Sequence, residues 1–442
     1  MDHTTETNLF GTEKIWKILL RLAPPVMFAQ LIQALYNIVD SYFVGKYSPD
    51  GLTALSVIFP VQLIITALAV GTGVGVNTQM ARLYAQKKEK EADETAGTGM
   101  ALSFFTWILF AILSALLMSS YVATSAKSEA AIQYGITYGK IVCIGSIGIF
   151  LESIWTKVLQ AGGNMRLPMI AQIAGAVTNI ILDPILIFGM FGIPELGIAG
   201  AAIATVCGQI VAAVITGTRG FRMPPAFREM KNCIKWIYRL GYPSILMQML
   251  YTVYIVALNI ILAGFSDAAV TVLGLYYKMQ TFFFIPLLGL QTCIVPVLSY
   301  NYASKQYKRC RLIMKDSVLF SLTFMLIGVF CFEVLPKTLL QLFSNEADVL
   351  RIGIPAFRII GSSFLPAVIS LLSPVFFQAI GNAKASALLS VIRQLGCLIP
   401  IFWAFSKLGL VYTWIAFPTA EVITGVIGIV LYLRQIKQWS AA

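Results

Sequence analysis

Long apolar runs separated by short polar breaks occupy most of the chain. Each run reaches the roughly 20 residues that a helix needs to cross the hydrocarbon core of a membrane. Several runs are longer, as in helices that tilt, kink or protrude from the bilayer. The twelve runs are 15–45, 52–82, 95–120, 130–160, 167–193, 197–218, 237–264, 268–300, 313–336, 347–380, 386–407 and 411–433. This pattern predicts an all-α polytopic membrane protein with twelve transmembrane helices.

Prolines inside several runs predict helix bends, because proline removes a backbone hydrogen bond and clashes with the preceding turn. They are Pro24, Pro25, Pro60, Pro243, Pro286, Pro296, Pro366 and Pro374. The glycine run Gly71-x-Gly73-x-Gly75 lacks the strand-to-helix context of a nucleotide-binding loop. We interpret it as a place where two helices pack closely.

Composition excludes the soluble classes of protein. Of 442 residues, 58% are hydrophobic and only 12% are charged, with a mean hydropathy of +0.80, whereas soluble proteins have about 25% charged residues. A soluble enzyme, a disordered chain and a fibre are thereby excluded. The only histidine is His3, so a Ser-His-Asp triad and a histidine-based metal site are excluded by count. The seven cysteines lack a Cys-x-x-Cys pair, which argues against a disulfide framework.

The distribution of basic residues predicts the orientation in the membrane. If the N-terminus is cytoplasmic, 22 Lys and Arg residues fall in cytoplasmic segments and five on the opposite side. Such an excess marks the cytoplasmic face. We therefore expect a multi-pass membrane protein with both termini in the cytoplasm. The net charge of +12 is then explained by basic loops, and no nucleic-acid partner is expected.

The chain resembles itself at an offset of 218 residues. The motif Arg21-Leu22-x-x-Pro25 recurs at 239–243, and Gln160-Ala161-x-Gly163-Asn164 recurs at 378–382. Two like halves of six spans each are the plan of some secondary transporters. The repeat predicts two pseudo-symmetric six-helix bundles: an N-terminal lobe at 1–218, a basic cytoplasmic linker at 219–239 and a C-terminal lobe at 240–442.

Acidic residues inside the runs are the candidates for function, because a carboxylate near the bilayer centre is costly without a partner, a proton or a role. Asp40 lies one helical turn after Tyr36, and Asp183 lies one turn after Asn179, so each pair shares a helix face. Oxygen ligands of this kind suit a hard monovalent cation. Desolvation also favours a protonated carboxyl group, which suits a proton carrier. Alternatively, Asp40 is a buried, hydrogen-bonded acid, and Asp183-Pro184 marks a kink.

Over nearly its whole length the sequence resembles the multidrug and toxic compound extrusion (MATE) transporters. The motifs that carry the resemblance are Pro25…Tyr36…Asp40, Asn179-x-x-x-Asp183-Pro184, the run Leu196-Gly-Ile-Ala-Gly-Ala-Ala-Ile-Ala-Thr205 and the doubled Gln-Ala-x-Gly-Asn. An aspartate in the first span is typical of the prokaryotic branch named after DNA-damage-inducible protein F. The resemblance implies a cation site formed by Asp40, Asn179, Asp183 and Thr205, with Tyr36 and the Pro25 bend nearby. The sodium-coupled branch uses acidic residues in the seventh and tenth spans, a second site that we expect this chain to lack.

From these observations we expect a secondary active antiporter, and not an enzyme. It would export small amphipathic organic compounds, often cationic, by alternating access as a monomer in the lipid bilayer. The substrate cavity or gate would include Met27, Gln30, Gln33 and Tyr36, together with the Pro25 bend. The coupling ion is a proton or sodium, with no other cofactor, and Asp40, Asn179, Asp183 and Thr205 would be metal ligands only if sodium is used.

Three other functions fit the sequence less well than an antiporter. A flippase for lipid-linked saccharides or lipids would need a cationic lumen, for which Lys278 and Arg358 are the available intramembrane cations. An intramembrane aspartyl protease using Asp40 and Asp183 is disfavoured, because the Gly-x-Gly-Asp motif is absent. A channel is disfavoured by the kinked, repeated plan. Lys278, Arg358 and Glu421 receive no role from the sequence.

Overall fold

The structure is a computed structural model and describes residues 9–125 and 128–441. His3 and Lys127, which entered the counts above, lie outside these residues. Every regular element in the described ranges is a helix. Within these ranges, nine single helices and three bent pairs are long and apolar enough to cross a membrane. The prediction of a twelve-span, all-α membrane protein is therefore confirmed, with each bent pair counted as one span.

The spans are numbered in chain order. Spans 1 to 6 are Ile15–Tyr47, Pro49–Ala85, Glu89–Thr124, Glu129–Gly145 with Ile147–Ala161, Arg166–Phe188 and Ile198–Gly220. Spans 7 to 12 are Phe227–Ala263, Asp267–Phe283 with Ile285–Ala303, Tyr307–Val334, Ala347–Gly361 with Phe364–Ala379, Ala383–Ser406 and Leu410–Trp439. A short helix, Pro336–Gln341, lies between spans 9 and 10.

Spans 4, 8 and 10 bend by 40°, 53° and 55°. Pro286 and Pro366 lie in the first turn after the bends of spans 8 and 10, where a missing backbone N–H breaks no hydrogen bond of the new helix. Span 4 bends without a proline at Ser146, whose hydroxyl donates to the carbonyl of Cys143 at 2.7 Å. The helices continue through Pro24, Pro25, Pro60 and Pro243 without a break.

The 218-residue repeat is visible in the backbone. Lys87 and Lys305 both adopt positive φ, at 60° and 57°, and Gly163 and Gly381 do so at 88° and 82°. The Asn164 side chain accepts a hydrogen bond from the Leu167 N–H at 3.1 Å. The equivalent side chain in the second half, that of Asn382, accepts from the Ala385 N–H at 3.2 Å. The two halves therefore repeat their turns as well as their sequence.

The described residues form two compact units. Unit 1 contains residues 9–12 and Pro24–Ile245, and unit 2 contains Glu13–Ala23 and Leu246–Ala442. The chain thus changes unit inside spans 1 and 7, next to Pro24 and close to Pro243. The predicted linker 219–239 is helical from Phe227 onward, and this helical part belongs to unit 1.

Glycines bring spans 2 and 7 into close contact within unit 1. A Cβ built on Gly75 would lie 2.1 Å from the carbonyl oxygen of Ile237, and one on Gly241 would lie 2.6 Å from that of Gly71. Only hydrogen fits at such positions. The interpretation of the glycine run as a helix-packing motif is therefore confirmed.

Candidate functional site

Two spans of unit 1 form the centre of the candidate site. Asn179 and Asp183 lie one turn apart on span 5, and both are buried. The Asn179 amide nitrogen donates to Asp183 Oδ1 at 3.3 Å and lies 3.5 Å from the hydroxyl oxygen of Thr205 on span 6. The helical spacing of the asparagine and the aspartate sets their contact, and the packing of span 6 against span 5 adds the threonine.

Asp40 on span 1 is also buried, with 8% of its surface exposed. The Asp40 carboxylate interacts electrostatically with Asp183 and with Tyr36. The four residues that the resemblance implies for the cation site therefore lie in one unit. Both aspartates are close enough to interact electrostatically.

Three oxygens of this site lack a hydrogen-bond donor within the described part of the chain. Asp40 Oδ1, Asn179 Oδ1 and Asp183 Oδ2 are buried, and no donor among the described residues reaches them. Buried polar atoms are normally paired, since an unpaired one loses its hydration without compensation. A bound cation or proton would satisfy oxygens of this kind.

A tyrosine that the sequence analysis did not single out extends the site. Tyr138 on span 4 is buried and hydrogen-bonds to Thr205. The Gln62 amide on span 2 donates to the Tyr138 hydroxyl at 3.5 Å. Asp183 is thus connected through Asn179, Thr205 and Tyr138 to Gln62. No spacing in the sequence indicates this connection, because its members come from four different spans.

The predicted cavity residues follow span 1 in unit 1. The Tyr36 hydroxyl accepts a hydrogen bond from Gln33 at 3.4 Å and interacts electrostatically with both aspartates. Gln30 is half-buried and its Oε1 has no donor among the described residues. Met27 and Pro25 are half-buried, and Gln33 is exposed. The structure therefore places Tyr36 beside the carboxylates and the other four residues along the preceding turns.

The predicted tenth span contains one acidic residue, close to its start. Asp348 lies in the first turn of Ala347–Gly361, but its side chain is 70% exposed and lies 3.0 Å from Arg351 Nη2. It is a surface ion pair and not an intramembrane site. No group of three or more His, Cys, Asp or Glu residues suited to a metal ion occurs in the part of the chain that the structure describes.

The cations considered for a flippase lie at one end of unit 2. The Lys278 ammonium of span 8 lies 5.6 Å from the ring centre of Phe343. Phe343 belongs to the connection between spans 9 and 10. Arg358 donates to the carbonyl of Glu333, at the end of span 9, at 3.2 Å. Both side chains are exposed. They do not form a cluster in the middle of the spans.

Twelve spans in two repeated halves, with a buried cluster of unpaired oxygens in one of them, define a multi-pass membrane transport protein. The model of the MatE family matches residues 25–185 and 243–403, so the chain belongs to the MatE family of transporters. The two matches are themselves 218 residues apart, which independently supports the repeat.

Similar proteins cover nearly the whole chain. The multidrug export protein MepA of Staphylococcus haemolyticus is 24% identical over 412 residues, covering 90% of this chain and 89% of that protein. An FAD transporter of Shewanella oneidensis is 23% identical over 420 residues, covering 93% of each chain. A solved outward-facing structure of a multidrug resistance MATE family transporter has a TM-score of 0.91 at 23% identity and covers 99% of both chains. This structural similarity shows that the chain has the same fold as that transporter.

Proposed function

We propose that the chain is a secondary active antiporter that exports small amphipathic organic compounds in exchange for protons or sodium ions. The observation that carries the proposal is a set of three buried oxygens, on Asp40, Asn179 and Asp183, that no donor among the described residues reaches. Family membership supports transport, and relatives named multidrug export proteins support a broad range of organic substrates.

The exchange follows from competition for negative charge. A proton or Na⁺ held by the two carboxylates cancels the charge that attracts a cationic substrate, so each ligand weakens the binding of the other. Tyr36 interacts electrostatically with both aspartates. It therefore connects the ion site to the turns of span 1 that carry Gln33 and Gln30. Binding of the ion then favours release of the substrate, and alternating access converts the competition into net export.

The excess of Lys and Arg in one set of connections supports cytoplasmic positions for both termini, and the bacterial relatives support the prokaryotic plasma membrane as the location. Residues 1–218 and 240–442 serve as the two lobes, joined through 219–239, and the transporter works as a monomer. In the sodium-coupled case, Asp40, Asn179, Asp183 and Thr205 are the ligands, since Na⁺ prefers oxygen.

Efflux of ethidium from reconstituted vesicles tests the proposal. A proton gradient and a sodium gradient are imposed separately on the intact chain, on Asp40→Asn and on Asp267→Asn. Asp267 provides a matched control, because it undergoes the same chemical change at the exposed start of span 8. We expect one gradient to drive efflux in the intact chain and in Asp267→Asn. In Asp40→Asn, we expect a loss of about tenfold or more, as for ion ligands and their supporting residues.

Two results would overturn the proposal. Efflux that remains coupled in Asp40→Asn would show that this carboxylate has no part in exchange. Efflux of the intact chain that neither gradient changes would exclude antiport and return attention to a flippase. The exposed positions of Lys278 and Arg358 disfavour that alternative, because a diphosphate group inside the protein would need cations directed at it.

A further inference from the structure

Unit 2 contains a buried ion pair between spans 11 and 12. Arg393 Nη2 lies 2.6 Å from Glu421 Oε1, and Arg393 Nε lies 3.0 and 3.1 Å from the two carboxylate oxygens. The two side chains are only 12% and 9% exposed. Glu421 is the one buried acidic residue among the described residues of unit 2. Its negative charge is therefore fully matched by a neighbouring positive charge inside the protein.

The surroundings hold this pair in place. The Ser370 hydroxyl of span 10 donates to Glu421 Oε2. Arg393 lies in a π-helical segment, Ile392–Leu398, within span 11, a feature often found at functional positions. Among the described residues, the other titratable groups that interact with the pair are neutral in their ordinary state: Tyr251, Tyr254, Tyr276 and Cys397. In the same part of the chain, Glu421 is the one acidic group that acts on Arg393.

The 218-residue repeat allows the surroundings of the Arg393–Glu421 pair to be compared with the candidate ion site of unit 1. The counterparts of Asp40, Asn179, Asp183, Thr205 and Tyr138 are Leu258, Cys397, Ile401, Ile423 and Ala356. The second half has therefore lost the oxygen ligands of the first. Arg393 lies one helical turn before Cys397, and Glu421 lies two residues before Ile423. The ion pair thus joins spans 11 and 12, the counterparts of spans 5 and 6, at a similar level along the spans.

We propose that Arg393 is a built-in cation that replaces a mobile coupling ion in the second half. Its guanidinium stays paired with the carboxylate of Glu421 throughout the transport cycle, so neither a proton nor Na⁺ binds to that carboxylate. Each cycle then moves only the ions that unit 1 binds. This inference rests on the proposed antiport and specifies which half of the repeat carries the coupling.

The pair also explains how a glutamate persists in an apolar half without acting in exchange. A carboxylate with a bidentate guanidinium partner is held in its charged form by two directed hydrogen bonds. Removal of the arginine would leave a buried carboxylate without a countercharge, which binds a proton or a small cation instead. Arg393 is therefore a positioning residue that keeps Glu421 out of coupling.

Infrared difference spectroscopy tests this role directly in the full chain in lipid, in sodium-free buffer, by counting carboxyl groups that take up a proton on acidification. The variants are Arg393→Gln, Arg393→Lys, and the double variant Arg393→Gln with Glu421→Gln. Arg351→Gln is the matched control, because it breaks the exposed ion pair with Asp348. The ratio of ions to substrate is measured on the same preparations from the gradient at which net transport stops.

We expect one additional protonated carboxyl group per chain in Arg393→Gln near neutral pH. It should be absent from Arg393→Lys, the double variant and the control. The double variant should keep coupled efflux with the ion-to-substrate ratio of the intact chain. It also keeps the test available if Arg393→Gln does not fold, since it leaves no unpaired charge.

Two results would overturn the inference. One is a double variant whose ratio falls by one ion, because Glu421 would then take part in coupling. The other is a folded Arg393→Gln variant without an additional protonated carboxyl group. Failure of the proposed function itself is recognised separately, because neither gradient would then drive efflux in the intact chain.

Discussion

Replacement of Gly75 by alanine gives a quantitative test of the contact between spans 2 and 7. The new methyl carbon would lie 2.1 Å from the Ile237 carbonyl oxygen, and real Cβ atoms stay at least 3.0 Å from other atoms. The helices must therefore separate locally by about 0.9 Å, because interiors are close-packed and backbone cannot rotate away as a side chain can.

The expected cost follows from this overlap. Overpacking a tight interior costs about 1 to 3 kcal/mol, and alanine recovers up to about 1 kcal/mol over glycine through its helix propensity. We expect a net destabilisation of about 1 to 2 kcal/mol. Thermal unfolding of the purified protein in one detergent, followed by tryptophan fluorescence, should show a lower midpoint for Gly75→Ala than for the unchanged chain.

Two glycines serve as controls for this measurement. Gly274 on span 8 has no atom within 4 Å of an added Cβ, and Gly73 would meet the flexible side chain of Lys157 at 2.8 Å. We expect no loss for Gly274→Ala and a loss for Gly73→Ala that is smaller than that for Gly75→Ala. Equal midpoints for Gly75→Ala and Gly274→Ala would refute the argument that the backbone contact limits residue size.

Three further substitutions test other contacts. Tyr138→Phe removes the hydroxyl that joins Gln62 to Thr205, and we expect the coupling ion to bind about tenfold more weakly; unchanged ion dependence of efflux would contradict this. Gly163→Ala and Gly381→Ala should each cost about 1 to 2 kcal/mol in thermal unfolding, since both positions have positive φ; a clearly unequal pair would contradict their equivalence. Asp93 Oδ1 lies 2.7 Å from Arg222 Nε in a half-exposed ion pair. Asp93→Asn should therefore cost at most about 1 kcal/mol in thermal unfolding, and the loss should shrink in high salt; a salt-independent loss would point to another cause.

The number of spans could be predicted because lipid forces the backbone to satisfy its own hydrogen bonds, which leaves long apolar runs in the sequence. The helix ends could not. Span 7 was predicted to begin at 237 but begins at Phe227, since the helix continues into the polar region past the apolar part. Hydropathy reports where a helix meets lipid, whereas backbone hydrogen bonding decides where it starts.

The candidate site was predictable only where its residues share one helix. The spacing of Asn179 and Asp183 places them together in any helix, and their hydrogen bond follows from it. Tyr138 reaches Thr205 from another span, so its part in the site depends on packing that periodicity does not encode. The same holds for the partner of Glu421, because Arg393 lies 28 residues away along the chain.

The exchange of segments between the two units has a consequence for biosynthesis. Residues 13–23 leave the ribosome early but belong to unit 2, whose other residues begin at Leu246, whereas unit 1 needs the chain as far as Ile245. Neither unit is complete when the first six spans have been made. The insertion machinery must therefore keep the start of span 1 available, outside its final packing, while more than 200 further residues are synthesised. We expect chains that stall before span 7 to be substrates for membrane quality control, however well their first six spans insert.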